Sequence, residues 1–319
     1  MYYLGIDLGA TSVRTVIGDE TGTVLGETTV PTPPGPTGGD VTAAILDTVR
    51  EVCSRADVTP TRIEAAGIGA AGRLDSDAGS VSGHANLPDS VTEIPLVSPV
   101  TDLIDSDDVF LQKDVNAGVV GERFYTDDSV DNIVYLTISS GIGAGIAIDG
   151  EIISGWNGNA GEVGHTVVDA TGFMTCGCGR DGHWEAYCSG ENLPRYARTL
   201  QENLDIETSL PIGNTEFTAV DIFAHAGEDA LADEILDRMS EWNLIGLANL
   251  VHTYAPSVVR IGGAVAVNNP EHVVEPLASR LEERLLVDMP AVSLTTLGED
   301  TVVKGALASA ITHSQGGND

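Results

Sequence analysis

Two stretches of this chain follow one plan. GIDLGATSVRTVIGDETGTVLG at 5–26 and LTISSGIGAGIAIDGEIISG at 136–155 each read as strand, glycine turn, strand, glycine turn, strand. Repetition of a whole hairpin constrains the fold more than either copy alone. It predicts two related lobes facing each other across a cleft.

The remaining pattern supports that reading. Apolar strands are expected at 2–8, 13–17, 24–30, 63–70 and 109–111 in the first half, with helices near 40–56 and 101–104. Strands at 132–138, 144–148 and 151–154 build the second copy, followed by a strand at 257–261 and another at 292–297. Between and after them, apolar residues at helical spacing predict helices over 228–254, 270–286 and 302–312. Alternating strands and helices indicate an α/β chain. Its 319 residues suffice for two packed lobes, expected at 1–115 and 116–319, with the C-terminal helix packing back on the first.

Charge excludes several partners. Forty-eight acidic residues face fifteen basic ones, for a net charge of −33, and Lys113 and Lys304 are the only lysines. Nucleic acid and anionic membranes would both be repelled. An acid excess nearly without lysine resembles the proteins of salt-loving (haloarchaeal) organisms, in which molar salt screens self-repulsion. No apolar run approaches the length needed to span a bilayer, and the N-terminus enters a strand without a basic segment, so a cytoplasmic protein is expected.

Phosphate binding needs backbone N–H groups aimed into a concavity, and glycine lets the chain approach the anion. Asp7-Leu8-Gly9-Ala10-Thr11 supplies one such turn, with an aspartate at a strand end suited to hold Mg²⁺ through water. Ser139-Ser140-Gly141-Ile142-Gly143-Ala144-Gly145 supplies a second, with two hydroxyls. Elsewhere, His165, Cys176, Cys178 and His183 place four nitrogen or sulfur ligands within nineteen residues, which suits a tetrahedral zinc ion. Cys188 could be the fourth ligand instead, or the cysteines could pack in a loop without metal. Cys53, alone in a helical segment, reads as a buried inert thiol.

The run from Ile138 to Gly145, continued by Gly155 and then Gly161-Glu162-Val163-Gly164-His165, resembles the signature of the ROK family of repressors, open reading frames and sugar kinases. Asp7 to Thr11 resembles that family's first phosphate loop, Lys113-Asp114-Val115-Asn116-Ala117 its catalytic-aspartate motif, and Gly262-Gly263-Ala264 its adenosine motif. The resemblance implies an actin-like (ribonuclease H-like) duplicated two-lobe ATPase fold with an interlobe cleft. It also implies ATP and Mg²⁺ as cofactors, a sugar as the other substrate, structural Zn²⁺, and a homodimer or homotetramer.

By the same resemblance Asp114 is the general base, and Asn86, Lys113, Glu162, His165 and Glu185 contact the sugar. Asp7, Gly9, Ala10, Thr11, Ser140, Gly141, Gly143, Gly262 and Gly263 hold the nucleotide. The family's metal pattern resembles His, then Cys-x-Cys, then a third cysteine; His183 stands at that last position here.

Two further departures bear on substrate. Lys113 replaces the asparagine common before the catalytic aspartate, and Gln112 stands where glutamate is usual. The expected activity is ATP-dependent phosphorylation of a hexose, glucose first. A kinase for an amino sugar of the N-acetylmannosamine or N-acetylglucosamine type, or for a sugar acid such as 2-keto-3-deoxygluconate, is the alternative that Lys113 favours. Gene-regulating members carry a helix-turn-helix before the first phosphate loop. That loop begins here at Asp7, so a sugar-sensing regulator is the remote alternative.

Overall fold

The opening strand, β1 (Tyr2–Leu8), buries Leu4, Ile6 and Leu8 completely, and each such side chain stabilises the fold by about 1.5–3 kcal/mol. The computed structural model describes residues 1–83, 91–126 and 130–315. Its two compact units are residues 1–131, 145–161 and 300–319, and residues 132–144 and 162–299. The boundary expected at residue 115 lies inside the first unit, which also takes up the C-terminal helix.

The first unit is built on β1, β2 (Ser12–Gly18), β3 (Val24–Pro31), α1 (Gly38–Arg55) and β4 (Ile63–Ala70). Three short strands follow, β5 (Arg73–Asp75), β6 (Ser80–Ser82) and β7 (Ile94–Pro95), then α2 (Val97–Ile104), β8 (Val109–Lys113) and α3 (Asp114–Tyr125). β1 pairs antiparallel with β2 and parallel with β4, and β4 pairs parallel with β8, giving the order β3-β2-β1-β4-β8. Thr37 and Asp40 form a capping box at the start of α1, which ends the Pro/Gly-rich loop before it. The small β5-β6-β7 sheet was not foreseen, because strands of two or three residues carry no periodic signal.

The repeat continues with β9 (Ile133–Ile138), β10 (Ile142–Ile148) and β11 (Glu151–Ile152). The second unit adds α4 (Glu185–Cys188), α5 (Leu193–Asn203), α6 (Ala219–Ala224), α7 (Ala230–Tyr254), β12 (Val258–Gly262), α8 (Ala264–Asn268), α9 (Pro270–Arg280) and β13 (Ala291–Leu294). The sheet order β11-β10-β9-β12-β13 repeats the first: two antiparallel hairpin strands, then the leading strand, then two parallel neighbours. Duplication read from the glycine turns therefore extends to the topology of whole sheets.

The last helix, α10 (Thr301–Ser314), belongs to the first unit and packs on β1, β4 and α3. Glycines make that contact possible. A Cβ at Gly67 would stand 1.9 Å from the Ala306 carbonyl, and one at Gly305 would stand 1.7 Å from the Ala117 carbonyl. The helix expected over 270–286 stops at Arg280, where the chain tightens into a 3₁₀ turn at Leu281–Arg284 that buries Leu281. Among the described residues, no helix is long and apolar enough to cross a membrane.

Candidate active site and metal centre

In the first unit, chemistry gathers at the carboxyl ends of β1, β4 and β8, where parallel sheets commonly place their ligands. Asp7 on β1 is in register with Gly69 on β4, which is in register with Gln112 on β8. Asp114 follows β8 directly as the first residue of α3, and its Oδ1 accepts from the Val115 N–H at 2.9 Å. Gly69 leaves room for this arrangement, since a Cβ there would lie 3.2 Å from Ala117 Cβ and 3.6 Å from Asp114 Cα. Burial, together with the charge of Asp114, pushes the Asp7 carboxyl up to about 7, and Arg14 pulls the other way. Two carboxylates that feel each other in this way make a natural seat for a divalent cation.

The turn after Asp7 is pinned from outside. The Gly9 N–H donates to the Ser12 carbonyl, and Thr32 donates from its N–H to the Thr11 carbonyl and from its hydroxyl to the Gly9 carbonyl. Among the described residues, no hydrogen bond engages the amides of Ala10 and Thr11 or the Thr11 hydroxyl.

The second turn repeats this logic. Ser139 N–H donates to the Gly141 carbonyl, Gly190 N–H to the Ser139 carbonyl, and Glu191 N–H to the Ser140 carbonyl. The Ile142 N–H donates to Glu185 Oε2 at 2.9 Å. The amides of Ser140 and Gly141 and the Ser140 hydroxyl remain unengaged among the described residues. Each turn thus offers two consecutive N–H groups and one hydroxyl to an anion. Gly143 lies within β10, outside the turn.

Gly262 and Gly263 end β12, and both meet close packing. A Cβ at Gly262 would stand 2.4 Å from the Tyr135 hydroxyl; one at Gly263, whose φ is +87°, would stand 2.6 Å from the Ile138 carbonyl oxygen. The following Ala264 N–H reaches Ser139 Oγ at 3.4 Å, tying this motif to the second turn. In the sequence Ser139 stands only as one of the turn's two hydroxyls, because service to a distant amide has no local signature.

Lys113 is 5% exposed, so it is no solvated surface lysine. Gln112, its neighbour on the opposite face of β8, donates to Ser309 Oγ of α10 at 2.5 Å and serves packing. Asn86 lies outside the described residues.

Glu162 and His165 flank a 3₁₀ turn at Val163–His165, with Glu162 Oε2 3.9 Å from His165 Nε2. The other ring nitrogen, His165 Nδ1, lies 3.8 Å from Cys176 Sγ. Across the cluster, Cys178 Sγ lies 3.3 Å from His183 Nδ1. The four ligand atoms of His165, Cys176, Cys178 and His183 all lie within 4.8 Å of one another, which fits a tetrahedral ion with a Cys₂His₂ donor set. Burial lowers the His183 pKa, a shift towards the neutral ring that a ligand must have. Burial also pushes the Cys176 thiol up to about 12, so an arriving metal must displace its proton.

The loop that carries these ligands is built around Asp169. Its carboxylate accepts from Tyr187 Oη at 2.6 Å, from the Thr171 N–H and hydroxyl, and from the Phe173 N–H. A Cβ at Gly182, whose φ is +74°, would stand 2.0 Å from the Asp169 carbonyl, so the residue before His183 must be glycine. Cys188 is fully buried on α4, and its thiol donates to the Met239 carbonyl at 3.5 Å. His183, and not Cys188, therefore stands with the other three candidate ligands.

The ROK family matches the chain over residues 3–312. A glucokinase of Pyrobaculum calidifontis is 32% identical over 309 residues, covering 97% of this chain and 94% of that protein. Among solved structures, a ROK hexokinase from Thermus thermophilus superposes with a TM-score of 0.82 at 29% identity, over 99% of this chain and all of that one. A ROK family glucokinase from Streptomyces griseus, in complex with glucose and AMPPNP, superposes with a TM-score of 0.78 at 28% identity, over 97% of this chain and 99% of that one. The fold is the actin-like, duplicated α/β ATPase fold of these kinases. Sequence motifs, sheet order and both kinds of relative agree along nearly the whole chain, and the chain belongs to the ROK family.

Proposed function

We propose that this ATP-dependent sugar kinase phosphorylates a hexose hydroxyl, with glucose as its principal substrate and Asp114 as the general base. The observation that carries the reading is the site at the end of β1 and β8, where Asp7 and Asp114 end neighbouring parts of one sheet beside a turn whose donors are free among the described residues. Burial, with the charge of Asp114 added, raises the Asp7 pKa. Asp114 takes the hydroxyl proton as the sugar oxygen bonds to the γ-phosphorus; the bond to the β-phosphate oxygen breaks and ADP leaves. The Ala10 and Thr11 amides of one turn, and the Ser140 and Gly141 amides of the other, are each assigned to nucleotide phosphate, whose negative charge such donors stabilise. Asp7 would hold a Mg²⁺ ion accompanying the nucleotide, and that ion would supply further charge neutralisation. Glu162, His165, Glu185 and Asn86 are assigned to sugar hydroxyls, and Gly262 and Gly263 to the adenosine. His165, Cys176, Cys178 and His183 would hold a structural zinc ion that fixes the His165 ring.

The glucokinase relative and the glucose complex of the Streptomyces griseus structure support glucose. A second reading, phosphorylation of an amino sugar or a sugar acid, is favoured by one feature: Lys113, a buried lysine, immediately precedes Asp114. A coupled ADP-release assay in high KCl decides between them, run across glucose, mannose, N-acetylhexosamines and 2-keto-3-deoxygluconate. Glucose should give the highest kcat/KM. Asp114→Ala should lose at least about a hundredfold in kcat while still binding nucleotide. Turnover of none of these sugars, or near-normal turnover by Asp114→Ala, refutes the proposal.

A further inference from the structure

The second glycine turn is held on its outer side by one short segment of chain. Gly190 and Glu191 donate their N–H groups to the Ser139 and Ser140 carbonyls, at 2.8 and 3.3 Å. Glu185, which opens α4 in the same segment, accepts the Ile142 N–H through Oε2. Ile142 is 5% exposed, so no water readily replaces that acceptor, and an unpaired buried amide is costly. Three bonds thus saturate the outer side of the turn and leave the Ser140 and Gly141 amides as its free donors.

Gly141 shows how closely the carboxylate is fitted. Its φ is not in the left-handed region, so backbone freedom does not demand glycine there. A Cβ at that position would instead stand 2.8 Å from Glu185 Oε2. The missing side chain is what admits the carboxylate against the turn. On its other side, Glu185 Oε1 lies 3.6 Å from Cys176 Sγ, so the same carboxylate also touches the candidate metal centre.

We propose that Glu185 is a positioning residue for the nucleotide: its carboxylate fixes the second turn in the shape that presents the Ser140 and Gly141 amides to phosphate. This role is additional to any contact with sugar, and it rests on the reading that this turn takes phosphate. Acceptor geometry carries it, and negative charge does not, since a carboxylate behind an anion site works against the anion. Glutamine retains an acceptor oxygen of the same reach; alanine retains none.

The test is calorimetric titration with Mg²⁺–AMPPNP in the absence of sugar, on zinc-replete protein, for wild type, Glu185→Ala, Glu185→Gln and Ser140→Ala. Loss of one buried hydrogen bond should weaken Glu185→Ala by roughly tenfold. Glu185→Gln should bind within about threefold of wild type or more tightly, although both variants are impaired in turnover. Ser140→Ala, which removes a free donor, should also bind more weakly. If Glu185→Ala binds like wild type while Ser140→Ala is weakened, the positioning role is wrong and the phosphate reading of the turn stands. If neither is weakened, the phosphate reading fails as well. Equal loss in Glu185→Gln and Glu185→Ala overturns the acceptor mechanism. Should Glu185→Ala not fold, as judged by its melting temperature, Glu185→Asp replaces it, with the same loss expected from its shorter reach.

Discussion

Asp7 and Arg14 are cross-strand partners in the antiparallel β1–β2 pair, and the guanidinium lies where it draws the Asp7 carboxyl down against burial and Asp114. Burial and Asp114 prevail, and Asp7 is held near 7 instead of its ordinary 3.8. Arg14 is also tied, through a 2.5 Å contact, to Asp300 at the start of α10. Its charge is therefore shared between two carboxylates.

A pH signature follows from that shift. Between pH 4 and about 7 the folded chain keeps a proton that the unfolded chain has released. The contribution of Asp7 to stability is thus fully present below about pH 4 and is lost as pH rises through about 7. Asp7→Asn removes this dependence. In EDTA its melting temperature should match wild type near pH 4 and exceed it at pH 8. Parallel melting curves at all pH values would refute the assignment. Nucleotide-bound Mg²⁺ needs the ionised form, so Mg²⁺-dependent turnover should also fall below pH 7.

Lys113 is the candidate determinant of sugar choice, because this buried residue directly precedes Asp114. Lys113→Asn should shift the ratio of kcat/KM for a sugar acid over glucose towards glucose by roughly tenfold or more. Steady-state kinetics on both sugars reads this directly. An unchanged ratio means that the lysine serves folding alone.

Metal analysis separates the two candidate fourth ligands. Wild type is expected to hold one zinc per chain and Cys188→Ala to keep it, because the Cys188 thiol faces the Met239 carbonyl. His183→Ala should lose most of the metal and melt at a lower temperature, whereas His183→Cys should retain it. Zinc retained in His183→Ala, or absent from wild type grown with zinc, rejects the site.

Salt should act on the whole surface. With a net charge of −33, self-repulsion opposes the folded state at low ionic strength, and molar KCl screens it. The melting temperature should rise steadily as KCl increases from about 0.1 M to above 1 M. A flat response would show that the acidic surface is tolerated without screening.

Legibility varied with the reach of the interaction. The strands of both repeats were readable because alternation and glycine turns are local signals. Helix α7 was readable because 3.6-residue spacing ran from Leu231 to Val251. Helix α6 and the β5-β6-β7 sheet were not foreseen, because they are too short to carry a period; α5 does carry one, burying Leu193, Tyr196, Ala197 and Leu200 on one face, and was missed all the same. The candidate metal ligands were legible as a pattern. The choice between His183 and Cys188 was not, because it turns on which way α4 faces its Cys188 thiol.

By itself the sequence determined the duplicated α/β plan, the two phosphate-type turns, Asp114 after a strand, and the Cys/His set, since each is a matter of residue type at short spacing. Only the tertiary structure decided which donors of those turns stay free, that Lys113 is buried, and that Asp7 feels Asp114. It also decided that Glu185, far along the chain, braces Ile142. Burial, charge coupling and hydrogen-bond saturation depend on distances between residues remote in sequence, and such distances exist only once the chain has folded.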